Sequence, residues 1–131
     1  MSWLGYYRTM NSPVTQRFWY NFKGEPITAE EFEKMFRARG LHVAQTHLRM
    51  QGRHLRVSTV LLGVNYNWRP EGRPIIFETM VFADGGTGQP VDHFTSRYTD
   101  KKSAAIGHTY TVRFLRRTLR RPPLINKGGK P

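Results

Sequence analysis

Five arginines crowd into nine residues near the end of this 131-residue chain: Arg113, Arg116, Arg117, Arg120 and Arg121. Each guanidinium is a planar fork of N–H donors that can grip a phosphate or carboxylate through two bonds at once. Arg113, Arg116, Arg117 and Arg120 recur at +3, +1, +3, so on a helix they form one stripe and leave the apolar positions free for a core. Lys101, Lys102, Lys127 and Lys130 widen the field. All nine acids lie at or before Asp100, so nine cations from Lys101 onward stand unbalanced, against twelve cations and nine acids in the first hundred residues. A patch of this kind seeks nucleic acid or an acidic protein surface; the alternative is a solubilising face. Tyr110 and Phe114 flank the stripe, and Phe18, Trp19, Tyr20 and Phe22 crowd one strand, where exposed rings can stack bases and alternating ones pack a core. With no RNA-binding or helix-turn-helix signature, weak sequence specificity is expected.

A second constellation is a candidate buried polar pair, Glu78 and His108. Glu78 falls mid-strand, sharing a face with Ile76, Met80 and Phe82 by period-two alternation. His108 falls on the apolar face of a helix. Paired, they either lock helix to sheet or furnish the carboxylate and imidazole of a ligand or catalytic pocket. The other histidines offer less. His42 and His47 are an odd number apart on a strand and are expected to face opposite sides, while His54 and His93 sit near turns. No pair has metal-site spacing on a helix, so neither metal nor cofactor is expected. Ser58 and Thr59 lack the sharp glycine elbow of an activated nucleophile. Gly85, Gly86 and Gly88 lead to no helix, as a phosphate loop would require. The chain has no Cys, which excludes disulfides, thiolate zinc ligands and thiol catalysis.

The elements that must position these groups read as follows. Residues 1–16 form an aromatic arm bearing Trp3, Tyr6 and Tyr7. A strand over 17–22 stops at the Lys23–Pro26 turn. Thr28 and Glu31 make a capping box, Phe32, Met35 and Phe36 an apolar stripe, and Gly40 a C-cap, predicting a helix at about 28–39. Strands follow at 41–48, 55–64, 75–83 and 94–98, with turns at Gln51-Gly52, a loop over 65–74 and a glycine connector over 84–88. A second helix is capped by Thr99 or Asp100 and carries Ala105, His108, Val112, Leu115 and Leu119 on one face, until Pro122-Pro123 ends it. The expectation is an α+β fold: a mainly antiparallel sheet of about four to five strands with two helices on one face. It divides as an arm over 1–16, one domain over 17–121 and a basic tail over 122–131. Aromatic content of 13% is too high for a disordered chain. No apolar run is long enough to span a membrane, and the start lacks signal-peptide character, so membrane partners are not expected and a cytoplasmic location is.

Three stretches resemble a family of small, mostly uncharacterised bacteriophage and prophage-encoded proteins: Val57-Ser58-Thr59-Val60-Leu61-Leu62-Gly63, Ile75 to Phe82, and Arg97-Tyr98-Thr99 with Gly107-His108 after it. Gly24-Glu25-Pro26-Ile27 is similar to the family's opening turn. The resemblance covers roughly 17–112, with Phe77-Glu78-Thr79-Met80-Val81-Phe82 its most specific part. It implies a phage-type accessory protein, in the bacterial host cell, and supplies no activity. Where family members carry Asp-His after the Val-Ser-Thr strand, this chain has Asn65-Tyr66, which removes the carboxylate and imidazole of that dyad. The leading expectation is a non-catalytic accessory protein that binds nucleic acid or an acidic partner through its Arg-rich helix. The alternatives are a structural subunit of an oligomer or larger assembly, and a small enzyme or ligand-binding domain using Glu78 and His108.

Overall fold

The computed structural model describes residues 19–50, 52–69, 71–83 and 89–120, with the backbone alone described at Met50, Gln89, Asp92, His93, Leu119 and Arg120. The arm over 1–16 with Trp3, Tyr6 and Tyr7, the glycine connector, and the segment holding Arg121, Lys127 and Lys130 lie outside the described residues.

In chain order the elements are β1 (Trp19–Tyr20), β2 (Pro26–Ile27), α1 (Ala29–Arg39), β3 (His42–Met50), β4 (Arg53–Leu61), β5 (Phe77–Ala83), β6 (Gln89–Tyr98) and α2 (Lys101–Arg120). β3 to β6 form a four-stranded antiparallel sheet in sequence order, and β1 with β2 makes a separate two-stranded ribbon. The α+β expectation holds.

α1 starts and stops where its caps require. Thr28 Oγ1 accepts the Glu31 N–H at 3.1 Å, and Glu31 Oε1 accepts the Thr28 N–H at 3.4 Å, a reciprocal capping box. Gly40 takes φ +76° and donates its N–H to Phe36 O at 2.9 Å. The first strand is shorter than the aromatic run predicts: only Trp19 and Tyr20 pair, with Ile27 and Pro26. Asn21 ends the pairing, because its Oδ1 accepts the N–H of both Lys23 and Glu25 and turns the chain back. β6 is longer than the expected 94–98. Pro90 sits inside it without harm because β6 is an edge strand, where one missing N–H breaks no second ladder.

α2 lies across one face of the sheet. Val112 and Leu115 pack on Leu48, Leu55, Val57 and Val81. At the sheet's end, Ala104 of α2 joins Phe32 of α1, Trp19, Leu41, Leu61 and Phe77 in a second cluster. The Trp19 and Phe32 rings lie 4.6 Å apart, which fixes the ribbon and α1 together. Gly63, with φ +79°, passes beneath the Phe32 ring so closely that a Cβ would collide with it. Its carbonyl accepts the Tyr20 N–H at 2.9 Å, tying the ribbon to the exit of β4. No helix among the described residues is long and apolar enough to cross a membrane.

Candidate functional site

α2 is a helix of 20 residues with no acid in its first turn, and Asp100 is its cap. Asp100 Oδ1 accepts the Ser103 N–H at 2.7 Å. That bond, then the Ser103 side chain and then the Arg73 guanidinium 3.6 Å away, hold the Asp100 carboxyl below the usual carboxylate range. The core face runs Ala104, His108, Val112, Leu115, all buried. Ala105, expected in that face, is exposed, and Ala104 takes its place. Both alanines fit the apolar periodicity, and so small a side chain gives the pattern little to discriminate with.

The remaining circumference of α2 is shared by cations and exposed apolar groups. Lys101, Lys102, Arg113, Arg116 and Arg117 are exposed, and among the described residues none of them forms an ion pair. Lys102 and Arg113 are three turns apart, so Lys102, Arg113 and Arg116 share a flank about 20 Å long. The Arg120 side chain is not described, and Arg121, Lys127 and Lys130 lie beyond. Ile106, Tyr110 and Phe114 are 62%, 71% and 43% exposed. Phe114 lies to one side of the arginines, while Ile106 and Tyr110 stand two turns before Arg113 and Arg117 and share their stripe.

The loop between β4 and β5 adds two residues that sequence reasoning missed. Asn65 Oδ1 accepts the N–H of Asn67 and of Ile75, and Asn67 Nδ2 donates to Arg73 O, so two asparagines staple the loop shut. The staple presents Trp68, 84% exposed, with the Arg69 guanidinium 5.2 Å from its ring centre. Arg73 reaches Asp100, which brings this loop beside Lys101 and Lys102. A Trp-Arg pair inside an Asn, Pro and Gly-rich loop was the available signal.

Glu78 and His108 are both buried, at 6% and 5% exposed, but they do not pair. They occupy opposite faces of the sheet. Thr59 and Thr79 face α2, where Thr59 Oγ1 lies 2.6 Å from Thr79 Oγ1 and 2.8 Å from His108 Nδ1. Thr46 Oγ1 stands 2.9 Å from His108 Nε2. Burial pushes the His108 pKa below its ordinary value. Glu78, one residue from Thr79, points the other way, and its Oε2 accepts Arg97 Nε–H at 2.9 Å. Arg97 in turn lies over the Tyr66 ring at 4.7 Å. Both parities of β5 are largely apolar, so alternation placed Glu78 with Met80 and Phe82 correctly but not the face that α2 covers.

The Glu78 face bears a groove of about 540 Å³, walled by Phe36, Val60, Met80 and Phe82, with Ser58 and Glu78 in its lining. Arg56 stacks on Phe82 at 4.4 Å. His42 also lines it, contrary to the expected opposition of His42 and His47. A bulge between His42 and Ala44 inserts one residue into β3, so His42 pairs with Val60, His47 with Arg56, and both fall on one side. His42 is two strands from Glu78, about 10 Å, too far for a shared proton. His47 Nδ1 and His54 Nε2 lie 3.2 Å apart across the β3–β4 hairpin. Among the described residues no group of three or more His, Asp or Glu gathers as a metal would need. No protein-family model, no curated protein and no solved structure matches the chain.

Proposed function

We propose that this is a non-catalytic binding protein that grips nucleic acid through the basic flank of α2, in the accessory role implied by its resemblance to small bacteriophage proteins. The observation that carries this reading is the row of exposed cations on α2, Lys102, Arg113, Arg116 and Arg117, which form no ion pair among the described residues, on a segment with no acid after Asp100. Two placements favour a phosphate backbone. Lys101 and Lys102 stand at the positive end of the helix dipole, where lysine is unfavourable for stability and anions are welcome. Trp68 and Arg69 project from the loop that Arg73 ties to Asp100, an aromatic face and a guanidinium suited to an unpaired base.

The test is a titration against labelled duplex DNA, single-stranded DNA and RNA at two salt concentrations, alongside an Arg113→Ala/Arg116→Ala/Arg117→Ala variant. Binding falls with salt at a log–log slope of about −0.9 for each duplex phosphate contacted, and the variant has a shallower slope. Salt-insensitive binding, or none at low salt, overturns the reading. Loss of affinity for single strands in Trp68→Ala, with duplex binding retained, assigns the loop to unpaired bases.

A further inference from the structure

α2 overhangs the outer edge of β6, and two adjoining hollows run between them. One, of about 310 Å³, is lined by Thr79, Phe94, Ser96, Tyr110, Thr111 and Phe114. The other, of about 370 Å³, shares Ser96, Tyr110 and Thr111 and continues past Tyr98, Ile106 and Gly107. Together they form one trough beside the edge strand.

β6 ends the sheet order, so among the described residues no strand pairs with its outer side. Thr95, Ser96 and Arg97 are exposed. Proteins guard such edges with proline, bulges or short strands, because unpaired N–H and C=O groups recruit another strand. Here Pro90 and the register shift opposite Met80 and Phe82 guard only the first half of β6. From Thr95 to Tyr98 the ladder with β5 is regular. Above that unguarded half stand Ile106, Tyr110 and Phe114, three large apolar groups left in water. Phe114 leans on Phe94 with ring centres 6.0 Å apart, forming one wall. Tyr98 occupies the space that a side chain at residue 107 would fill, so Gly107 lets helix and edge approach without closing the trough.

We propose that this trough takes an extended segment of a partner protein, which adds to β6 as a fifth strand and places alternate apolar side chains under Ile106, Tyr110 and Phe114. Main-chain bonds to the edge supply affinity, and the hollows select every second side chain. Charge selects the rest. The residues between the apolar ones point to the sheet's other face, beside Arg97, whose side chain is 46% exposed, on a chain of net charge +12, so the segment alternates bulky apolar residues with aspartate or glutamate. The site is built from Ile106, Tyr110, Phe114 and the β6 edge, none of which the nucleic-acid reading uses, although Arg113 and Arg117 stand two turns from Ile106 and Tyr110 on the same helix.

The test uses the full chain and a fluorescein-labelled peptide of about eight residues alternating valine or phenylalanine with aspartate. A second version is N-methylated at alternate amides. Saturable binding is expected, with amide shifts at residues 94–98, and an affinity loss of about tenfold or more in Ile106→Ser/Tyr110→Ser. Both positions are exposed, so circular dichroism should show an unchanged fold. Arg116→Ala binds the peptide as the parent does. The proposal is overturned by absence of saturable binding, by equal binding of the N-methylated peptide, or by an unaffected double-serine variant. A dimer in solution with residues 94–98 already protected from exchange also overturns it, since a second copy then fills the trough.

Discussion

Thr59 Oγ1 lies 2.8 Å from Nδ1 of His108, and this contact is the polar pin between sheet and helix. Thr46 meets the other ring nitrogen, so a neutral imidazole is fully partnered in a buried site. Burial lowers the folded-state pKa of His108. Below about pH 6.5 the unfolded chain therefore takes up the proton first, and folding stability falls as pH drops through that window. The slope contributed is at most about 1.4 kcal/mol per pH unit. Urea midpoints between pH 7.5 and 5.5 should fall less in His108→Gln than in the parent.

Removing the partner of a buried carboxylate should cost more than neutralising both. Arg97→Met leaves Glu78 at 7% exposure without its guanidinium, while Arg97 itself is 46% exposed. The expected loss is about 2 kcal/mol, below the 3–5 kcal/mol of a fully buried pair because water partly screens Arg97. Glu78→Gln/Arg97→Met should recover part of it. A double-mutant cycle in urea that shows no coupling would refute the pair's role.

Gly63 should tolerate alanine worse than any turn glycine. Its positive φ strains an L-residue, and the new Cβ meets the Phe32 ring in the core, whereas nothing stands near Gly24 or Gly52. A loss of about 2–4 kcal/mol is expected for Gly63→Ala and about 1 kcal/mol for Gly52→Ala, read from chemical denaturation. Equal losses at the two sites would contradict the packing.

At the start of α2, stability and binding should move in opposite directions. Lys102→Glu places an acid at the helix N-terminus and is expected to raise the melting temperature while weakening nucleic-acid binding. Asp100→Ala removes the cap and a negative charge beside the cations, and should cost about 1 kcal/mol while strengthening binding. Melting curves and salt titrations on the same two variants check both halves.

The α1 boundaries and the course of the sheet were legible because each rests on local chemistry: Thr28 with Glu31, Gly40 at its positive φ, Gly52 between two strands. What escaped depended on tertiary placement. Which parity of β5 faces α2 is undecided locally, since Phe77 and Val81 compete with Met80 and Phe82; the threonines at 46, 59 and 79 were the usable clue to His108. The bulge at His42/Ala44 leaves no trace in composition, yet it moves a histidine across the sheet. Of the basic site, the arginine spacing was readable. The exposure of Ile106, Tyr110 and Phe114 was not, because apolar residues in a helical segment otherwise read as core.

The order β3-β4-β5-β6 has a kinetic side. Every strand pairing joins neighbours along the chain, so the sheet can close hairpin by hairpin at small loop-closure cost. The return of α2 onto β3 is different: Thr46 and His108 are 62 residues apart. That docking is expected to come last, after the platform it needs exists. Truncations on the docked face, such as Val112→Ala, should therefore speed unfolding and leave the refolding rate nearly untouched, while Val60→Ala, on the face that α2 leaves uncovered, slows refolding. Stopped-flow chevrons with the opposite pattern would place the helix, and not the hairpins, in the nucleus.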